Sequence, residues 1–417
     1  MTTVSVSALD MTRADTRMIT ALGPISVPKL DEIADTLREL AVRGAGRTPV
    51  GLIPAITSHL WDYDPDRFLG DLVELPACSV DELPALLTEQ ARRVGHKNAI
   101  SVAVAGDYLI LDMCHGLGDG RLITMINQVL GERPLPHAYP DWSFGGGTNH
   151  PLERAIAGFY GSDPRRAGAM LRARRGAAAI AIAGQDEPTL PWSRLPAVVA
   201  ARTNGGTTDE LRRHRDRVSP GLSVASIIFS SIVAEMRSCG VELAPTVNVI
   251  FDCRRYLPAA RRVLGNFVSG LDLPVADPGD PRLLNRAISE AAACGRPLAA
   301  LLMSTSSFRG RYRRGDGYVE ETRVPTHPRA RLAFSDIGQT FPGSEMWLSG
   351  RAERFYNAVN EPKAPEAIVF TITHRGADFD VTASFHANVF SPTVIQTALD
   401  NVAHEPGRHF MHEAKDQ

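Results

Sequence analysis

The sequence predicts a mixed α/β (α+β) protein of two lobes, each a mixed sheet flanked by helices. Three observations predict it. The chain has 417 residues, more than one hydrophobic core usually serves, so two lobes are expected. Short apolar runs bounded by turn residues are interleaved with amphipathic segments of helical period. Hairpins recur among the strand-like runs, and no repeat of fixed period is found.

The elements follow in order. Leu30, Ile33, Leu37 and Leu40 recur at helical spacing after Pro28, which suits a first turn. A second helix is expected from about Val80 to Arg93, with Leu83, Leu86 and Leu87 on one side. Ile100–Val104 and Tyr108–Leu111 read as strands joined by Ala105-Gly106-Asp107, a hairpin connection. From Gly120 the pattern is helical again, through Leu122, Ile123, Ile126, Val129 and Leu130. Residues 134–151, with Gly145-Gly146-Gly147, mark a loop or a change of element. Two arginine- and alanine-rich helical segments follow, then a break at Thr203-Asn204-Gly205-Gly206-Thr207. The lobe boundary lies between about 185 and 210, giving an N-terminal lobe of residues 1–195 and a C-terminal lobe of residues 196–417.

The second lobe opens with Ser223 as N-cap of an apolar helix running to about Met236. A strand over Val247–Phe251 runs into Asp252-Cys253-Arg254-Arg255. Asp280-Pro281 is an N-cap with proline at the first helical position. Arg331–Phe334 reads as a strand, Ala367–Ile372 and Phe379–Phe385 as a hairpin, and Ser391-Pro392 as the start of a final helix.

Composition narrows the function classes. Hydrophobic residues make up 44% and charged residues 22%, ordinary for a globular protein. A net charge of -2 gives no whole-molecule attraction to nucleic acid or anionic membrane. The five cysteines are scattered without a CxxC pair, which argues against a disulfide framework or a zinc site and fits a cytoplasmic location. The start of the chain lacks the pattern of a secretory signal, and the alanine-rich run over 177–183 is too short for a transmembrane segment.

Chemistry concentrates in His115-Gly116-Leu117-Gly118-Asp119-Gly120, just past a strand. An imidazole accepts a proton near neutral pH with little tuning, so His115 is a candidate base. Gly116 and Gly118 allow positive φ and leave room for substrates. A lone loop histidine is more often simply hydrogen-bonded to backbone. Asp119 has three readings: N-cap of the helix from Gly120, partner of an arginine that braces the loop, or, ranked lowest, the group that orients His115. Asn266, in Gly265-Asn266-Phe267-Val268-Ser269, and Ser335, in Ser335-Asp336-Ile337-Gly338, lie in turns or strand ends that can line a cavity.

Other signals fail. His404-Glu405-Pro406-Gly407-Arg408-His409 has the wrong spacing for a zincin, and its proline breaks the helix such a site needs. The triple glycine lacks the Lys-Ser/Thr of a phosphate loop. There is no GxSxG elbow and no strand-GxGxxG-helix unit. Arg165, Arg166, Arg172, Arg174 and Arg175 read first as a solvated helix face and second as a run that attracts the phosphates of a nucleotide thioester.

Cys114-His115-Gly116-Leu117-Gly118-Asp119-Gly120 resembles the HHxxxDG signature of the superfamily of chloramphenicol acetyltransferase-like enzymes and nonribosomal peptide condensation domains. Asp252-Cys253-Arg254-Arg255, followed by Gly265-Asn266-Phe267-Val268, resembles its DxRR…GNFV region, and Ser335-Asp336-Ile337-Gly338 its later SN-x-G strand. The freestanding polyketide-associated and alcohol acyltransferases are the most similar types. Cys114 departs from the signature's first histidine, and the DFGWG motif of the plant branch is missing.

The resemblance implies two lobes with a channel between them. It implies an acyltransferase in natural-product or lipid biosynthesis, with His115 as general base. The donor would be acyl-CoA or an acyl-phosphopantetheinyl carrier protein, and the acceptor a small alcohol or amine. No metal would be required. Asp119, Gly120 and Arg254, the last chosen over Arg255, would be structural at the active site. Asn266 or Ser335 would contact substrate or the oxyanion. Two other readings stay open: variant thioester chemistry such as cyclisation or dehydration, and a catalytically silent carrier-protein or acyl-binding module.

Overall fold

The computed structural model describes residues 2–46, 48–93, 98–132, 150–178, 187–257, 263–314, 321–341, 346–348, 353–408 and 410. The triple glycine and the alanine run after residue 178 lie outside them, as do the side chains of Arg174 and Arg175.

Two sheets organise the molecule. The first has five strands, in the order Phe355–Asn360, Arg17–Gly23, Tyr108–Cys114, Ile100–Ala105 and Leu69–Leu75. The hairpin Ile100–Ala105/Tyr108–Cys114 turns at Gly106, whose φ of 62° suits glycine. The second has six strands, in the order Val268–Pro274, Thr246–Asp252, Arg331–Gln339, Ala367–Arg375, Asp378–His386 and Pro196–Arg202. Its central pairs are parallel and its flanking pairs antiparallel, so both sheets are mixed.

The two halves of the chain exchange a strand. Phe355–Asn360 comes from beyond residue 196, yet it pairs antiparallel with Arg17–Gly23 in the first sheet. Nothing local marks it, because its partner lies at the other end of the chain. Ser335 also differs from the expected strand end. It sits inside Arg331–Gln339, which runs on through a bulge between Asp336 and Gly338.

Both sheets pack against helices. Leu22, Leu111 and Met113 of the first sheet pack with Leu37 and Leu40 of helix Leu30–Arg43, and with Ile123 and Ile126 of helix Gly120–Gly131. Phe334 and Phe370 of the second sheet pack with Ile228 and Ile232 of helix Val224–Ser238 and with Leu399 of helix Pro392–His404. A smaller core joins the lobes: Ile19, Leu83, Leu87 and Ile110 meet Val198, Phe355 and Val359. Thr88 accepts the Val198 N–H at 2.9 Å, and Arg92 Nε donates to the Pro196 carbonyl at 2.8 Å, tying helix Leu83–Arg92 to the far sheet. No helix among the described residues is long and apolar enough to cross a membrane.

Candidate active site

Strand Tyr108–Cys114 ends one residue before His115. The chain then turns through Gly116–Gly118 and enters helix Gly120–Gly131, capped by Asp119, whose carboxylate accepts the Arg121 N–H at 3.2 Å. Neither Gly116 nor Gly118 adopts positive φ, contrary to the sequence expectation. Close packing is what excludes a side chain there. A Cβ on Gly116 would lie 2.9 Å from Ala14 Cα, and one on Gly118 would lie 2.7 Å from the Leu264 carbonyl oxygen. Gly120 is different: a Cβ there would meet only Ile337, at 3.9 Å.

His115 Nδ1 lies 3.1 Å from the Gly118 carbonyl oxygen. That oxygen can only accept, so Nδ1 carries the hydrogen and Nε2 keeps its lone pair. Burial, reinforced by the charges of Arg13 and Lys363, pushes the imidazolium down to about 3, so the ring is neutral at neutral pH.

Asp119 points away from the ring. Arg254 grips it in a fork, Nη1 to Oδ2 at 2.9 Å and Nη2 to Oδ1 at 3.1 Å. The Phe267 N–H donates to Oδ2 at 3.0 Å. Arg254 also donates to the carbonyls of Val263 and Gly265 and to Asp252, so all five of its N–H groups are used. Both partners are about 3% exposed, which makes this a buried pair with its hydrogen bonds satisfied. Arg255 is exposed and lies on the solvent side of the same turn.

Asn266 lines the same cavity, but its amide is engaged. Nδ2 donates to the carbonyl oxygens of His115 at 2.8 Å and Gly116 at 3.3 Å, and to Asp10 Oδ1 at 3.2 Å. All three neighbours are acceptors, which fixes the amide's orientation. Asn266 therefore bridges the His115 loop to the second lobe and has no N–H left for an oxyanion. The Ser335 hydroxyl lines the cavity and has no hydrogen-bond partner among the described residues.

Two cavities meet at the loop. One, of about 550 Å³, is lined by His115, Gly120, Asn266, Ser335, Arg13 and Lys363 among others. The other, of about 720 Å³, is lined by Cys114, Arg17, Arg92, Arg93 and Arg194. They share Thr16 and Glu361. Adjacent residues of an extended segment face opposite ways, so Cys114 borders one cavity and His115 the other. Burial pushes the Cys114 thiol up to about 12, and its Sγ lies 3.4 Å from the Ala14 carbonyl oxygen.

The fold that carries this loop has relatives among solved structures. A trichothecene 15-O-acetyltransferase (TRI3) from Fusarium sporotrichioides matches with a TM-score of 0.66 at 10% identity, over 95% of this chain and 94% of that one. The epimerization domain from the third module of tyrocidine synthetase B matches with a TM-score of 0.55 at 11% identity, over 100% of this chain and 98% of that one. VibH, a nonribosomal peptide synthetase condensation enzyme, matches with a TM-score of 0.50 at 11% identity, over 97% and 92%. The chain has the chloramphenicol acetyltransferase-like condensation fold. No protein-family model matches the sequence, and no curated protein matches it significantly.

Within that fold, three residues at or beside the cavity carry no signal in the sequence. Arg13 and Lys363 bring positive charge to the His115 side, and Asp10 accepts from both the backbone N–H and the amide of Asn266. Asp10 lies within a four-residue helix, Ala8–Met11, Arg13 follows that helix, and Lys363 follows the exchanged strand. Residues so scattered form no motif, and only folding collects them.

Proposed function

We propose that this protein transfers an acyl group from a thioester to an alcohol or amine, with His115 as the general base. The observation that carries the reading is the His115 ring, held as its Nδ1–H tautomer with Nε2 free at a cavity wall. In this reading Nε2 takes the proton from the acceptor O–H or N–H as that atom bonds to the thioester carbonyl carbon. The tetrahedral species then collapses, the C–S bond breaks, and Nε2 returns the proton to the departing thiolate. No acyl-enzyme forms. A base of this kind contributes roughly 10²–10⁴-fold. Donor and acceptor held in adjoining cavities gain further from effective concentration. Ser335, with its unpartnered hydroxyl in the same cavity, is our candidate donor to the developing oxyanion.

The donor in this reading enters through the larger cavity. Its wall carries Arg17, Arg92, Arg93 and Arg194, of which Arg17 pairs with Asp112, Arg93 with Asp71 and Arg194 with Glu361. A wall this rich in guanidinium groups suits the phosphates of coenzyme A better than an apolar carrier-protein contact. The acceptor then occupies the smaller cavity beside His115.

Mass spectrometry of wild type and His115→Ala with a panel of acyl-CoA donors and small alcohols and amines tests the proposal. The variant is expected to lose about 10²–10⁴-fold in product. Equal product from both proteins would overturn the base assignment. Thioester binding without turnover by wild type would favour a binding module instead.

A further inference from the structure

Arg13 is a cation at the site whose nearby carboxylates, Asp15 and Asp119, act on it without bonding to it. Its backbone is fully engaged: its N–H donates to the Asp10 carbonyl at 3.1 Å, and its own carbonyl accepts the Thr16 N–H at 3.1 Å and hydroxyl at 2.9 Å. Its guanidinium lines the 550 Å³ cavity and makes no hydrogen bond or ion pair among the described residues. The surrounding carboxylates are each held by other groups. Asp119 is in the fork of Arg254. Asp15 accepts from Lys363 Nζ at 2.7 Å. Asp10 accepts from Ser7 at 2.7 Å and from the Asn266 backbone at 2.9 Å.

Arg13, Lys363 and Arg331 line the cavity with Asp119, Asp272 and Glu361. Besides Asp119, Glu361 accepts from Arg194 at 2.9 Å and Asp272 from Asn248 at 2.8 Å, and neither carboxylate bonds to Arg13. Leu9, Met18, Leu301 and Val268 supply apolar wall around it. Desolvating a cation without a counter-ion is expensive, and a bound anion offsets that cost. A guanidinium presents paired N–H groups in a planar fork that fits a carboxylate.

We infer that the acceptor carries a free carboxylate, gripped by Arg13 with Lys363 as the second cation. The assignment rests on reading this cavity as the acceptor's site. It narrows the acceptor from any alcohol or amine to a hydroxy acid or an amino acid, and the product to its O-acyl or N-acyl derivative. It also couples binding to chemistry. The positive charge of Arg13 is one cause of the low proton affinity of His115. A carboxylate on Arg13 cancels that charge, so the bound acceptor makes His115 a stronger base at the moment one is needed.

The test is calorimetry without any thioester. Hydroxy acids and amino acids of graded size are each titrated beside their methyl esters. Wild type is expected to bind at least one acid about 10- to 100-fold more tightly than its ester. Arg13→Gln should bring that ratio to within about 2-fold, and Arg13→Lys should retain part of it. Should Arg13→Gln fail to fold, Lys363→Met and Arg13→Lys carry the test, each expected to lower the ratio without abolishing it. The inference is overturned if no acid outbinds its ester in wild type, or if the ratio is undiminished in the Arg13 variants. A preference for succinyl-CoA over butyryl-CoA that depends on Arg13, with no acid preference among free acceptors, would move the carboxylate to the donor and overturn it too. Intact acid preference in a wild type that never turns over would count against acyl transfer alone. Turnover of acids and esters with equal efficiency would count against Arg13 alone.

Discussion

Arg254 and Arg13 are cations on two sides of one short loop, yet they are held in opposite ways. Arg254 is buried, and every N–H has an acceptor, two of them on Asp119. Arg13 lines a cavity, and its guanidinium has no partner among the described residues. The first arrangement fixes a backbone: it pins the start of helix Gly120–Gly131 to the Gly265–Phe267 segment and so aims His115. The second stores no structure and leaves its charge for something that arrives. Similar chemistry thus serves as a brace in one place and as a candidate ligand contact in the other. The difference lies in whether the fold supplies a counter-charge in hydrogen-bond contact.

Substitutions can break this comparison, and the largest effect is expected at the brace. Arg254→Met leaves Asp119 buried and unpaired, which should cost about 3–5 kcal/mol of stability. Asp119→Ala should cost a similar amount by stranding Arg254. Chemical denaturation measures both, and a loss below that of an ordinary surface change would refute the bracing role. Asn266→Ala removes the bonds to the carbonyls of His115 and Gly116 and should cost about 1–3 kcal/mol. Its activity should fall with the displaced His115 loop.

The next effect is in acid. His115 is neutral in the folded protein down to about 3, whereas its ordinary value is 6.5. Between those values the unfolded chain binds the extra proton, so stability falls as pH drops through that window. His386, pushed down to about 4 mainly by burial, adds a slope of the same sign. His115→Gln should flatten the acid limb of a stability-pH curve by up to about 1.4 kcal/mol per pH unit. An unchanged slope would show that the wild-type ring protonates freely.

The smallest stability change is expected at Arg13. Arg13→Gln removes a desolvated charge that makes no hydrogen bond or ion pair among the described residues, so stability should stay within about 0.5 kcal/mol of wild type or rise. The same substitution should raise the proton affinity of His115, because a nearby positive charge is gone. Ring titration by NMR reads this directly, and a downward shift would contradict the placement of the charge.

Part of the site is legible in the sequence. His115 past a strand, Asp119 as a helix cap and the hairpin ahead of them follow from patterns within a few residues. Arg254 stands out through the motif that contains it, although spacing does not separate it from Arg255. The strand exchange leaves no such trace, nor does the engaged amide of Asn266. For Gly116 and Gly118 the sequence suggests positive φ, whereas their role is close packing against Ala14 and Leu264, which depends on neighbours that no local pattern reveals.

The sequence by itself determined the two-lobed α/β class, the main helices with their caps at Asp119, Ser223 and Asp280, and the loop that carries His115. Those features arise from hydrogen bonds and apolar periodicity within a turn or two of chain. Tertiary structure decided which charges are satisfied. It carried Phe355–Asn360 into the first sheet, brought Lys363 beside Asp15, seated Arg254 on Asp119 and left the Arg13 guanidinium facing a cavity. Electrostatic matching depends on distance and burial, and a linear pattern specifies neither for residues from opposite ends of the chain.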